Sequence, residues 1–306
     1  MIDKKIIIGS RGSKLALNYA ERAKNEICSK LSIKEKNLEI KNITTEGDKI
    51  KDVRLSDTGG KGLFSKTIEN ELLDNKIDIA VHALKDMPSD ETSGLTTNCF
   101  LERNDPREVL ISRDKKKFND LNKGSIIGTS SFRREFQFKR IRNDLKYKLI
   151  RGNVDTRIKK LNEKNFDAII LSFAGLHSLK LDQNITQIFS TSEIIPSAGQ
   201  GTIALQCREN DGEIIKILKK INHELTYKCV IAERDVLKTL NGDCETPVGV
   251  FAHIKNNELN LETELFSLDG KDRFYESLST ELKNFKKIGL EVGTILKKKS
   301  KNSYKR

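Results

Sequence analysis

The chain has 306 residues, with 56 lysines and arginines against 44 aspartates and glutamates and a formal net charge of +12. That length allows two or three domains, each with its own core, and no apolar run approaches the roughly 18 residues of a membrane span. The charge predicts affinity for anions, but aromatics at 6% and the lack of tryptophan argue against a base-stacking platform for nucleic acid.

Lys5–Ile8 is predicted as a strand that runs into the turn Gly9-Ser10-Arg11-Gly12-Ser13 and then a helix from about Lys14 to Ser29. A Ser/Gly turn before a helix start offers free N–H groups to an anion, and Arg11 adds a fork for a carboxylate. Leu38–Thr44 reads as a second strand. The polar stretch 45–62 reads as a long functional loop, followed by Phe64 and a helix to about Asp74. Phe64 either joins the core or covers a site. The run Ile77 to Pro88 is a buried strand whose carboxyl end carries His82, Lys85 and Asp86. Ligands of open α/β sheets bind at such ends. Leu95–Phe100 is a further strand, and the charged segment Leu101 to Arg107 crosses into a second domain.

The second domain is predicted to open on the strand Glu108–Ser112 and then repeats one pattern. Ser125–Gly128 leads through Thr129-Ser130-Ser131 to a helix with Arg133 and Arg134 in its first turn. Lys148–Ile150 leads through Arg151-Gly152-Asn153 to a helix with Arg157, and Phe166–Ser172 ends at Ala174-Gly175-Leu176. Strand, polar turn and helix in succession predict a parallel sheet with its ligand edge at the carboxyl ends. Arginine opposes the dipole in a helix first turn. A polyanion facing all three starts explains the arginines better than scatter does. Gly199 and Gly201 around Gln200 suggest close backbone approach, followed by the strand Thr202–Cys207.

From about Asn222 a smaller α+β unit is expected: a helix at Cys229–Leu240, strands at Val248–His253, Glu258–Leu265 and Arg273–Leu278, and a helix at Glu281–Leu296. The five cysteines are odd in number and without a CxxC pair, which favours a reducing compartment, by default the cytoplasm, and no metal site. The start MIDKKIIIGS has too short an apolar run for a secretory signal. Cys28, Cys99, Cys207 and Cys229 fit buried core positions. Cys244, in the turn Asn241 to Pro247, has only polar neighbours and proline. Asp243 and Glu245 beside it raise rather than lower a thiol pKa, so a thiol that holds something fits better than one that turns over.

Nine stretches in order carry a resemblance: GSRGSKLAL, GGKGLFSKTIE, DIAVHALKDMP, ERNDPRE, GTSSFRR, LIRGNVDTR, AGL, PSAGQG and LNGDCETPVG. The chain resembles the porphobilinogen deaminases, also called hydroxymethylbilane synthases, over essentially its whole length. The resemblance implies an α/β fold: two periplasmic-binding-protein-like α/β domains around a cleft, and a smaller C-terminal α+β domain. The bounds expected are 1–101 with 198–219, 102–197, and 220–306. It implies a transferase of haem biosynthesis that joins four porphobilinogen molecules, with loss of ammonia, on a dipyrromethane bound to Cys244 by a thioether.

By the same resemblance Asp86 is catalytic, stabilising cationic pyrrole states. Lys85, Asp86, Ser130, Arg133 and Arg134 contact the cofactor, and Arg11, Ser13, Phe64, Arg151, Arg157 and Gln200 the substrate. The partners implied are the small-molecule substrate alone, with no nucleic acid and no membrane, and the enzyme is a monomer. Two positions depart from the pattern. Ser178 stands where an arginine is usual, which leaves one carboxylate contact without its cation, and Asp243 replaces a glycine. A solute-binding protein of the same two-lobed architecture would need neither Cys244 nor Asp86, and a nucleic-acid-binding protein would explain the charge but not the pattern at the strand ends.

Overall fold

The computed structural model describes residues 5–49, 62–243 and 246–305 and contains two five-stranded sheets and one three-stranded sheet. Strand β1 (Ile6–Arg11) precedes α1 (Lys14–Leu31), whose start is capped by Ser13 accepting the Ala16 N–H at 3.3 Å. A serine cap of this kind is worth about 1 kcal/mol. Helix α1 lays Tyr19, Ala20, Ala23 and Ile27 on the sheet side, against Ile6 and Ile8. Next come β2 (Leu38–Ile43), the short α2 (Glu46–Lys49), α3 (Lys66–Leu73), β3 (Ile79–Ala83) and β4 (Leu95–Phe100).

The chain then crosses to a second sheet. It builds β5 (Glu108–Ser112), β6 (Ile126–Gly128), α4 (Phe132–Ile141), β7 (Lys146–Lys148), α5 (Val154–Asn162), β8 (Ala168–Ser172), α6 (Phe173–Ser178) and β9 (Gln187–Ile188). Strand β10 (Ile203–Arg208) returns to the first sheet and α7 (Gly212–Ile221) covers it. The last unit is α8 (Glu224–Leu240), β11 (Val248–Lys255), β12 (Glu258–Phe266), β13 (Arg273–Glu281) and α9 (Phe285–Ser300), with the two helices packed on one antiparallel sheet.

The first sheet runs β2-β1-β3-β10-β4 and the second β7-β6-β8-β5-β9, which is the same order position by position. In each, the first three strands of this order are parallel, the fourth runs antiparallel to them and the fifth antiparallel to the fourth. The sheets are therefore mixed, where the repeated strand-turn-helix pattern predicts parallel ones. The fourth strand has just arrived from the other lobe and enters at the edge where the parallel strands end: Glu108 opens β5 opposite Ser172, and Ile203 opens β10 opposite Ala83. It can only run the other way.

The two crossing segments touch. Gly201 has φ +82°, and a Cβ there would lie 2.5 Å from the Asn104 carbonyl oxygen. Gly199 has φ +72°, and its Cβ would lie 2.7 Å from Leu84. Both positions require glycine for conformation and for space. Other boundaries differ from expectation in ways that packing explains. Ile150 is buried in the core just past the end of β7 rather than within it, and α6 begins at once after β8. Helix α7 has no counterpart among the predicted elements, and α8 starts five residues early at Glu224, where the His223 side chain accepts the Thr226 N–H as a cap.

Candidate active site

A cleft of about 1000 Å³ lies between the two lobes at the carboxyl edges of their parallel strands. That is the upper end of small-molecule pockets. Eight lysines and arginines but only three aspartates line it among the described residues. Arg11, Ser13, Phe64, Lys85, Asp86, Ser130, Arg133, Arg134, Arg151, Arg157 and Gln200, all singled out in the sequence, border this one space. Cys244 lies outside the described residues, as do 50–61, the greater part of the expected loop. Asp243 and Thr246, on either side of the Cys244 turn, both line the cleft, and the Thr246 backbone N–H donates to Asp243 Oδ1 at 3.2 Å.

The arginines of α4 are set by a carboxylate that the sequence does not mark out. Glu108, fully buried at the start of β5, pairs with Arg133 Nη2 at 2.7 Å and Arg134 Nη2 at 2.9 Å. It also accepts from Gln200 Nε2 at 3.0 Å. Burial alone would raise the Glu108 pKa, but Arg134, Arg133 and Lys85 outweigh it and hold it at about 2. Three cations converge on one carboxylate, so positive charge is left over for a ligand. Arg133 Nη1 donates to the Ile195 carbonyl at 3.0 Å, and Arg134 Nη1 to Ile170 at 3.0 Å. Arg134 Nε is buried with no hydrogen-bond partner among the described residues. A buried donor left so is costly unless something else is bound there, and a carboxylate in the cleft is the natural acceptor.

On the other lobe, Leu84–Asp86 form a single helical turn directly after β3. Lys85 Nζ reaches Gln200 Oε1 at 3.4 Å, and burial, seconded by Arg134, pushes its pKa down to about 8. Asp86 faces the cleft and accepts no hydrogen bond among the described residues; its near charges are Lys85 and Arg157. The Arg11 guanidinium stacks on Phe64 with 4.0 Å to the ring centroid. Phe64 is therefore a cleft residue and not a core one. Gln200 is 1% exposed, and both ends of its amide are used inside the protein. Arg157 Nε donates to the Gly152 carbonyl at 2.8 Å, and burial with Arg134 and Arg151 nearby lowers its pKa. Ser13 accepts the α1 cap bond through its hydroxyl oxygen, which leaves the hydroxyl proton free to donate.

His82 is not a strand-end polar group. It lies within β3, buried, beside Gln206. Ser178 does not border the cleft: its hydroxyl donates to the Ala174 carbonyl at 2.7 Å and meets Tyr19, while its carbonyl accepts from Asn18 across the lobes at 2.7 Å. Lys180 does not border the cleft either.

Fold and site together define a class: two α/β lobes around a strongly cationic cleft suited to a polyanion, with Asp86 accepting no hydrogen bond among the described residues. The family model described as the dipyromethane cofactor binding domain of porphobilinogen deaminase matches residues 6–216, and that of the C-terminal domain matches 227–298. The porphobilinogen deaminase of Alkaliphilus metalliredigens is 40% identical over 97% of this chain and 93% of its own, and that of a Geobacillus species 43% over 96% and 94%. Among solved structures, substrate binding domain 2 of Lactococcus lactis GlnP aligns over 72% of this chain and 87% of its own, with TM-score 0.42 and 12% identity. The chain belongs to the porphobilinogen deaminase family, the transferases that make hydroxymethylbilane in tetrapyrrole biosynthesis. Its first two sheets form the family's dipyrromethane cofactor-binding domain, and the arginine-rich cleft, with Arg134 Nε lacking a partner among the described residues, fits that group's carboxylates.

Proposed function

We propose that this chain joins four porphobilinogen molecules into hydroxymethylbilane with Asp86 as its catalytic carboxylate and Cys244 as the thioether anchor of the dipyrromethane. The observation that carries this reading is Asp86 itself, open to a cationic cleft and accepting no hydrogen bond among the described residues. When bound, the dipyrromethane supplies the free pyrrole carbon at which the product grows. Lys85, Ser130, Arg133 and Arg134 hold its carboxylates. Arg11, Ser13, Arg151 and Arg157 hold those of the incoming substrate, with Phe64 supporting the Arg11 guanidinium. Gln200 acts through Lys85, which it fixes at 3.4 Å. Asp86 accepts ring N–H groups and stabilises positive charge as it develops on pyrrole.

The division that supports this work is 1–101 with 198–219, then 102–197, then 220–306, the last unit presenting the Cys244 turn to the cleft. The enzyme acts as a cytoplasmic monomer on small molecules alone, without nucleic acid or membrane; four free cysteines among the described residues are consistent with a reducing compartment. The test joins intact mass to the Ehrlich colour reaction. The parent and Cys99→Ser should carry a pyrrole adduct and Cys244→Ser none. Asp86→Asn should fold, yet turn over at least about a hundredfold more slowly. An adduct on any other peptide, or near-normal turnover of Asp86→Asn, removes the respective assignment.

A further inference from the structure

A second cavity of about 50 Å³ opens off the cleft behind Asp86. Asp86, Arg11 and Phe64 border both spaces, whereas Tyr19, Ser65 and His82 border only the small one. It has room for a few water-sized molecules and none for a pyrrole.

Its one imidazole has a fixed tautomer. Glu69 on α3 accepts from Gln206 Nε2 at 3.1 Å, which turns the Gln206 Oε1 toward His82. An amide oxygen only accepts, so His82 Nε2, at 3.2 Å, must carry the proton. Nδ1 of the neutral ring is then a lone-pair acceptor. No described residue donates to it, and the His82 side chain lines the small cavity. Burial above all, with Arg11 nearby, lowers the ring's pKa to about 4, so it is neutral at physiological pH.

We propose that this cavity receives the nitrogen released from each porphobilinogen, as ammonia or ammonium held between the Asp86 carboxylate and His82 Nδ1. The proposal rests on the deaminase reading above. The aminomethyl nitrogen arrives protonated; its C–N bond breaks, both electrons stay on nitrogen, and neutral ammonia departs while the positive charge remains on the substrate's methylene-pyrrole system. Carbon–carbon bond formation then frees one proton, which ammonia takes, so ammonium is the net product. Asp86 and Arg11 give the cavity lining one charge of each sign and neutral His82 adds none, which suits a group that must be let go.

The probe is ammonium chloride against potassium chloride at equal ionic strength, on the cofactor-loaded enzyme. His82→Gln keeps a polar end near Gln206 and removes the acceptor at Nδ1, whereas His82→Asn keeps an acceptor close to the Nδ1 position. Ammonium should inhibit hydroxymethylbilane formation specifically in the parent. That inhibition should be at least about threefold weaker in His82→Gln and retained in His82→Asn, with the Michaelis constant for porphobilinogen unchanged within about twofold. Equal ammonium inhibition of parent and His82→Gln overturns the proposal, as does a parent that ammonium inhibits no more than potassium. A size test on the parent needs no variant: methylammonium should inhibit, and tetramethylammonium, too bulky for the cavity, should not. Equal inhibition by both also overturns it. A parent with neither pyrrole adduct nor product refutes the deaminase reading instead, a result the mass measurement separates.

Discussion

Lys85 has its charge held in a place that disfavours charge. Burial lowers its pKa to about 8, where a carboxylate partner alone would raise it, so the ammonium form is present below about 8 and lost above it. kcat/KM reports groups of the free enzyme, so it should fall as pH rises through about 8. Lys85→Arg, which stays charged, should carry the plateau to higher pH. An alkaline limb identical in parent and variant would show that another group sets it. Ser178 supports a second prediction. Ser178 itself does not reach the cleft, but the longer arginine at that position should, with a charge-assisted bond to a substrate carboxylate worth about 1.5–3 kcal/mol. That added bond favours a lower Michaelis constant in Ser178→Arg, and a value equal to or above the parent's would count against it. Glu108 is the residue the sequence could not single out. A buried carboxylate that aims two arginines is written with the same letter as a solvated one, and only the fold brings Arg133, Arg134 and Gln200 to it.

Helix α8 works as a clamp. Glu233, fully buried, accepts from Arg103 Nη1 at 2.6 Å, from the Gly199 N–H at 2.6 Å and from the Ala252 N–H at 2.8 Å. One carboxylate thus joins both crossing segments to the third sheet. Its neighbour Arg234 donates to the carbonyls of Pro88 at 2.8 Å and Ser89 at 3.1 Å, and Ser89 Oγ donates to Gly242 at 3.2 Å. The segment just after Asp86 is therefore held in register with the turn that leads to Cys244. Removing one partner of a buried pair costs about 3–5 kcal/mol, so Glu233→Ala should lose that much stability in urea unfolding. A loss under about 1 kcal/mol would mean that Arg103 finds water or another acceptor. Helix α8 was legible from its apolar spacing, but which of its charged residues turn inward was not. Helix α7 is a different kind of miss: Ile214, Ile217, Leu218 and Ile221 spell a helical stripe, a signal that periodicity alone suffices to find.

Across the whole molecule, the two lobes, the cleft between them and most of its lining followed from strand ends and from the nine matching stretches. The shared strand order did not, because periodicity tells which residues form a strand and says nothing of its neighbours. Strand β10 has the same buried apolar pattern whether it pairs with β9 next to it in the chain or with β3 and β4 a hundred residues earlier. Acid stability is a property of this scale. His82, with a folded pKa near 4 against about 6.5 unfolded, stabilises the fold fully above pH 6.5 and progressively less down to pH 4. The shift corresponds to about 3 kcal/mol. His82→Gln should flatten the melting temperature across that window, and a parent whose melting temperature is level from pH 7 to 4 would contradict this.

The position of β10 also decides the order in which a ribosome can deliver a finished lobe. When residue 101 emerges, β3 and β4 have no strand to lie between them, and α7, which seals the same core, is more than a hundred residues away. The second sheet, by contrast, comes from one unbroken stretch, β5 to β9. The lobe that is synthesised first is thus completed after the one that follows it, and its open strand edges wait in the cell while the rest of the chain is made.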